Sequence, residues 1–244
     1  MGGKKLYDKL KAAFEREGIK CGRDKFIGML REENMLVRHR KRYVKTTQSK
    51  HMFFKHPNLI QGLDICQSEQ VWASDITYIK TKAGFMYLFL ITDVYSKQIM
   101  GWDLADNMKV INAIKALKMA LKNRKYPERG LIHHSDRGLQ YCTPSYTELL
   151  EENNISISMT QQYDPYQNAV AERVNGILKT EYDISDRFLG YKDAKREIKY
   201  SIWLYNTDRP HLSCHGLVPE DAHKIEGYKL KKWAKKQTHA PHQN

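Results

Sequence analysis

Three consecutive stretches, VWASDITYIK (71–80), FMYLFLITDV (85–94) and KQIMGWDLA (97–105), decide the fold. The first reads as a strand, rich in β-branched and aromatic residues. The second is apolar almost without a break, as expected of a strand buried on both faces. The third is another strand. The gaps between them are short, which predicts hairpin connections and antiparallel pairing. Downstream the texture changes. A helical pattern over 107–123 places Val110, Ile114, Leu117 and Leu121 inward. GLIHH (130–134) is a fourth strand, 144–153 a helix and ISISM (155–159) a fifth strand. Helices follow at 165–182 and 191–206. Three strands in a row, then α-β-α-β-α, predict a mixed five-stranded sheet of the α/β class, flanked by helices.

Outward from this core the charge is uneven. The chain has 244 residues and a net charge of +13. Residues 1–60 hold 16 Lys/Arg against 6 Asp/Glu; 61–223 hold 19 against 21; 224–244 hold 6 against 1. Basic ends around a nearly neutral middle point to a polyanion partner, most often nucleic acid. Residues 4–17 and 23–34 have apolar positions at helical spacing, including Leu6, Leu10, Phe14, Phe26, Ile27 and Leu30. Two short helices, a tight turn and the basic run RHRKRYVK (38–45) resemble a helix-turn-helix module. Its candidate DNA contacts are Arg38, Arg40, Lys41 and Arg42; the alternative is a helical hairpin packed on the next domain. The expected organisation is a basic module over 1–45, a linker over 46–68, a core over 69–223 and a basic tail over 224–244.

Several classes are excluded. Cys21, Cys66, Cys142 and Cys214 are scattered, with no zinc-finger spacing to histidine, and read as free thiols of a reducing compartment. The longest apolar run, near FMYLFLI (85–91), is far too short to cross a bilayer. MGGKKLYDKL has no apolar signal region. A cytoplasmic protein without membrane association is expected.

Three carboxylates stand out. Strand alternation puts Asp75 on the same face as Ala73 and Thr77, and an aspartate in such a strand is costly to bury unpaired. Asp136, in LIHHSDRGLQY, follows the fourth strand, where α/β sheets commonly bind ligands. Glu172 lies on the polar face of the helix in DPYQNAVAERVNG (164–176), behind Pro165 in its expected first turn. Hard oxygen ligands from a strand, a strand end and a helix suit Mg²⁺ or Mn²⁺. Two such ions about 3.5–4 Å apart support phosphodiester chemistry.

Four segments carry a resemblance: WASDITYIKTKAGFMYLFLITDVYSKQIMGW (72–102), HHSDRGLQYCTPSY (133–146), DPYQNAVAERVNGILKTEY (164–182) and YNTDRPHLSCHGLVPEDAH (205–223). Their order, and the 35 residues between Asp136 and Glu172, resemble the DDE transposase and retroviral-integrase superfamily, specifically OrfB-type insertion-sequence transposases. The resemblance implies a ribonuclease-H-like fold and a catalytic, metal-binding triad of Asp75, Asp136 and Glu172. It implies metal-dependent strand cleavage at an element's terminus, then attack by the released 3′-hydroxyl on another phosphodiester. It also implies self-association on DNA, an upstream-frame OrfA product as possible partner, and a bacterial, nucleoid-associated location. The family's basic residue seven positions after the glutamate falls on Lys179, about two helical turns and roughly 10 Å along the same face. Further DNA-contact candidates are Arg137, Arg173, Tyr166 and Asn168; the loop holding Tyr163, Tyr166, Gln167 and Asn168 either grips DNA or caps the helix. Two alternatives stay open: a ribonuclease-H-like nuclease, or a DNA-binding regulatory product inactive without an upstream-frame segment. QQYDPY lacks the glycine usual in the family's loop, and neither the integrase-type zinc domain nor a leucine zipper is visible.

Among rival carboxylates, Asp93, Asp103, Asp164 and Glu181 fall outside the triad positions and are expected to be structural or on the surface. His133 and His134 point to opposite faces and are expected to pack rather than ligate. Ser135 has no visible His/Asp relay, so a serine-nucleophile mechanism is not expected.

Overall fold

The computed structural model of the chain describes residues 2–36, 52–161, 168–184 and 188–227. Two helices come first, α1 (Gly3–Arg16) and α2 (Arg23–Glu32). The core follows as β1 (Val71–Thr81), β2 (Gly84–Asp93), β3 (Ile99–Ala105), α3 (Val110–Lys122), β4 (Leu131–Ser135), the short α4 (Leu139–Cys142), α5 (Pro144–Glu152) and β5 (Ile155–Met159). It closes with α6 (Ala169–Glu181), α7 (Tyr191–Thr207), a 3-10 turn (Leu212–Cys214) and α8 (Pro219–Ala222). The sheet order is β3-β2-β1-β4-β5. β1, β2 and β3 pair antiparallel, whereas β4 runs parallel to β1 and β5 parallel to β4. The five strands thus stand where their sequence pattern predicts them.

Side-chain alternation explains the two-sided burial of β2. Phe89 and Ile91 face the layer of α3 and α5, packing with Trp72, Leu117, Tyr146 and Leu150. Leu88 and Leu90 face the opposite layer, with Val174, Leu178, Ile198 and Tyr205 of α6 and α7. Phe89, fully buried, is a residue whose truncation to alanine costs roughly 3–5 kcal/mol.

The residues expected inward on α3 all pack on the core, but alanines make its innermost contact. Ala113, Ala116, Leu117 and Ala120 are buried, while Val110, Ile114 and Leu121 flank them half-buried. The reason is close approach. A Cβ built on Gly101 of β3 would lie 2.1 Å from the Ala116 carbonyl oxygen and 2.6 Å from the Ala120 nitrogen. Only small residues on both elements permit that packing.

The described part of the stretch expected to be a linker lies on the core. Ile60, Leu63 and Ile65 pack with Val71, Val94 and Ala171, and the Met159 N–H donates to the Pro57 carbonyl at 3.2 Å. Apolar side chains at 60, 63 and 65 account for this. The α1–α2 hairpin is held by Tyr7, Phe14 and Phe26, whose ring centroids lie 5.6–6.3 Å apart. Lys9 of α1 pairs with Asp208 after α7.

Two buried polar networks fasten the C-terminal segment. Arg209 grips Glu181 through Nε (2.7 Å) and Nη2 (2.9 Å). His223 Nε2 lies 3.1 Å from Glu69 Oε1, and His223 Nδ1 lies 2.9 Å from Ser96 Oγ. Burial pushes the Glu69 carboxyl up, but the hydrogen bond from His223 and the Lys125 and Tyr126 N–H groups bring it below the usual range.

Candidate active site

Asp75 sits on the central strand, between β2 and β4. Alternation gives it the face of Val71 and Ala73, which pack against Ala171 of α6. The β1–β4 register pairs Val71 with Ile132, Trp72 with His133 and Ala73 with His134, a constant offset of 61. Asp136 follows the last residues of that register and stands near enough to Asp75 for its charge to raise the Asp75 carboxyl. Asp136 lies just past the end of β4, where its Oδ1 accepts the Gly138 N–H at 2.9 Å. A Cβ at Gly138 would stand 2.9 Å from that same oxygen, so a side chain there would displace the Asp136 carboxylate.

Helix α6 brings the third carboxylate. Its expected start near Pro165 lies outside the described residues; the described helix runs from Ala169, and Glu172 is in its first turn. Two asparagines tie the helix to β1. Asn168 Nδ2 donates to the Ser74 carbonyl at 2.9 Å, and Asn175 Nδ2 donates to Asp75 Oδ2 at 2.6 Å. Glu172, Asn175 and Lys179 recur at i, i+3 and i+7, one stripe of the helix. Lys179 is half-buried in the last turn.

The electrostatics converge on Asp75. Desolvation raises its carboxyl most, the Asp136 charge next, and Glu172 adds a smaller push; the Asn175 and Ile76 hydrogen bonds oppose them. The net result is a pKa of about 7. Among the described residues no three Asp, Glu, His or Cys side chains stand close enough together to hold a metal ion as they are. The donor set nevertheless fits a hard divalent cation, because like-charged oxygens raise each other's proton affinity and a cation relieves that repulsion.

The histidines before Asp136 have structural partners. His133 Nε2 lies 2.6 Å from Ser74 Oγ and 2.9 Å from the Tyr146 hydroxyl, on the sheet face away from Asp75. Burial drives its pKa down to about 3, so it is neutral. His134 Nδ1 lies 2.8 Å from Ser158 Oγ on the other face. The rival carboxylates likewise have structural surroundings. Asp93 accepts from the Glu69 N–H and from both the N–H and Oγ of Ser96, each at 2.7 Å. Glu181 is held by Arg209, and Asp103 is raised by burial and eased by the charges of Lys115 and Lys195. Asp164 lies outside the described residues.

The expected DNA contacts are dispersed. Arg137 lies half-buried in the turn between Asp136 and Gly138. Asn168 is buried, and its amide anchors α6 to β1. Arg173 is exposed and lines a cavity bounded by Lys5, Val94 and Arg209. Tyr166, Arg38, Arg40, Lys41 and Arg42 lie outside the described residues, as do Tyr163 and Gln167. Sequence reading missed Asn175 and the hydrogen-bonding role of Gly138. The i+3 spacing from Glu172 is the signal that finds Asn175.

Comparison with known proteins follows the same outline. Two family models described as "Integrase core domain" match residues 67–165 and 153–219. A 31 kDa protein of insertion element IS600 from Shigella sonnei is 34% identical over 213 residues, covering 86% of this chain and 78% of that protein. Transposase InsF of insertion sequence IS3A from Escherichia coli K12 is 31% identical over 221 residues, covering 90% and 75%. Among solved structures, the HTLV-2 integrase catalytic core in complex with magnesium superposes with a TM-score of 0.52 at 18% identity, covering 64% of this chain and 97% of that one. A chain of a simian T-cell lymphotropic virus intasome gives a TM-score of 0.56 at 18% identity, covering 98% and 81%. These two likenesses establish the integrase-core, ribonuclease-H-like fold.

Proposed function

The chain belongs to the insertion-sequence transposases that carry an integrase core domain, and from that premise we propose that Asp75, Asp136 and Glu172 form the active site where DNA strands are cut and joined. The observation that carries this reading is that Asp136, just past the end of β4 beside β1, and Glu172 of α6 both press their charge on the Asp75 carboxyl. The three carboxylates would hold divalent cations, two of Mg²⁺ or Mn²⁺, which when bound polarise the phosphodiester and activate the attacking hydroxyl.

The chain's own residues do the rest. Asn175 orients Asp75 by donating to its Oδ2. Gly138 fixes the rotamer of Asp136 through its N–H. Lys179 takes a DNA phosphate two turns along the helix from Glu172. Ser74 and His133, hydrogen-bonded beneath β1, stiffen the strand that presents Asp75. Water is the nucleophile of the cutting step and the released DNA 3′-hydroxyl that of the joining step, a DNA 3′-oxygen leaving each time, so no covalent enzyme intermediate is required. Arg137, Arg38, Arg40, Lys41, Arg42 and Tyr166 extend the DNA contact, the basic module over 1–45 and the tail over 224–244 bind the polyanion, and copies of the chain pair on DNA ends. The OrfA-type upstream product is the proposed protein partner. No described helix is long and apolar enough to cross a membrane.

The test uses labelled duplexes carrying the element's termini. Wild type cuts and joins them in Mg²⁺. Asp75→Asn, Asp136→Asn and Glu172→Gln each abolish both steps and still bind the duplex. A variant that keeps cutting removes its residue from the triad. Hydrolysis of ends that are never joined would make the enzyme a nuclease instead.

A further inference from the structure

On the face of α6 turned from Asp75 lies a cavity of about 810 Å³. Its walls come from α1, residues 63–65, the β2–β3 turn, α6 and the loop after α7. Much of the lining is apolar, including Ile65, Val94, Val170 and Val174, yet four cations border it: Lys5, Lys97, Arg173 and Arg209. Their neutralisation is incomplete. Arg209 is paired with Glu181, and Lys97 donates to the Val94 carbonyl and feels the Asp93 charge. Among the described residues no hydrogen bond or ion pair engages Lys5 or Arg173. Asp64 is the one carboxylate in the lining. The field is correspondingly positive. His211, also in the lining, is driven down to about 2 by burial and then by Arg209, Lys5, Lys97 and Arg173. Lys5 is lowered by burial, then by Arg209, with the Glu181 charge opposing and Arg173 adding.

An apolar chamber with cations along its border selects an anion that carries an apolar body. The volume is that of a small-molecule site, several times what one phosphate needs. An isolated phosphate would leave the apolar walls uncovered, and a purely apolar ligand would leave the cations unpaired. A nucleotide meets both demands. We propose that this cavity is a nucleotide site, holding the phosphate of an unpaired nucleotide on Lys5, Lys97 and Arg173 and its base against Val94, Val170 and Val174. Arg173 follows Glu172 directly in α6, so the site lies about one helix width from the reacting carboxylates. That placement identifies the nucleotide as one extruded from DNA beside the cleavage point; this source, though not the anion chemistry, rests on the transposase reading.

The test measures binding in EDTA, with no cleavage, using the full chain. Fluorescence anisotropy compares a blunt duplex, the same duplex with one unpaired 5′-phosphorylated nucleotide, and that extension made abasic. Wild type should prefer the unpaired nucleotide by about tenfold, and the abasic form should lose the preference. Lys5→Gln, which removes charge, and Ala169→Trp, which fills the mouth from an exposed helix position, should each bring the preference near one, with melting temperatures confirming that both fold. Free dAMP should compete better than inorganic phosphate. An absent preference in wild type, or one that survives both variants, overturns the proposal. Equal competition by phosphate reduces the cavity to an ion site and overturns the base contact. Stronger competition by an acidic peptide assigns the cavity to a protein partner instead. Failure here leaves strand cleavage by the triad untouched, and a dead triad leaves this preference measurable.

Discussion

Asp75 and Asp93 lie on neighbouring strands of one sheet, and burial raises the carboxyl of each above its ordinary range. Their surroundings then diverge. Asp93 has His223 as its next strongest influence, followed by donors from Ser96 and Glu69, all favouring the charged form. Asp75 has Asp136 as its next influence and Glu172 as a further one, both disfavouring the charged form, with only Asn175 and a main-chain N–H in support. A buried carboxylate whose demands are met by the protein is architecture. One whose neighbours add like charge keeps a raised proton affinity, which a bound cation would relieve. On the proposed reading, that difference separates a structural aspartate from a chemical one.

The sharpest test exchanges the two. Asp93→Ala leaves buried donors of Glu69 and Ser96 unmatched beside His223, so it should cost on the order of 3–5 kcal/mol in urea unfolding. Asp75→Asn should abolish strand cleavage yet leave the melting temperature in EDTA at or above the wild-type value. If Asp75→Asn unfolds the chain while Asp93→Ala spares it, the distinction is wrong. Next in size is Asn175→Ala, which removes the support of Asp75; steady-state cleavage should fall roughly 10–100-fold with folding retained. Cleavage at wild-type rates would reduce that hydrogen bond to packing.

A pH experiment probes the satisfied class through Glu181. Burial raises its carboxyl, but the Arg209 hydrogen bond and charge bring it below the ordinary value. Its stabilising contribution is therefore complete above the unfolded pKa near 4.3 and is lost as pH falls through the lower folded value. Arg209→Met should flatten that acid limb of the stability curve; an unchanged limb would assign it to other groups. The smallest expected effect is cation stabilisation. At ten times its Kd, Mg²⁺ should raise the wild-type melting temperature by about 3–5 °C and leave Asp75→Asn unmoved. An equal rise in both would place the ion elsewhere.

Much of this was legible from the residues. The unbroken apolar run of β2 announced a strand covered on both sides, and Leu88 and Phe89 indeed enter opposite layers. Strand alternation set Asp75 and Ala73 on one face and separated His133 from His134. What escaped was contact at a distance. Asn175 reaches Asp75 across 100 positions of chain, and His223 reaches Glu69 across 154. On α3 the sequence pattern finds the core-facing side of Val110, Ile114, Leu117 and Leu121, but not that the glycine at 101 brings the helix in close enough for alanines to make its innermost contact.

The sequence by itself determined the order and type of the elements, the face each strand residue takes and the spacing of three acidic side chains, because periodicity and turn chemistry act over a few neighbouring residues. Tertiary structure alone decided that β4 docks beside β1 at an offset of 61, that α6 turns Asn175 to the sheet and Arg173 to a cationic cavity, and that Asp93 is matched where Asp75 is not. Desolvation and Coulomb forces depend on which groups share a few ångströms of low-dielectric space, and only the packed chain fixes that.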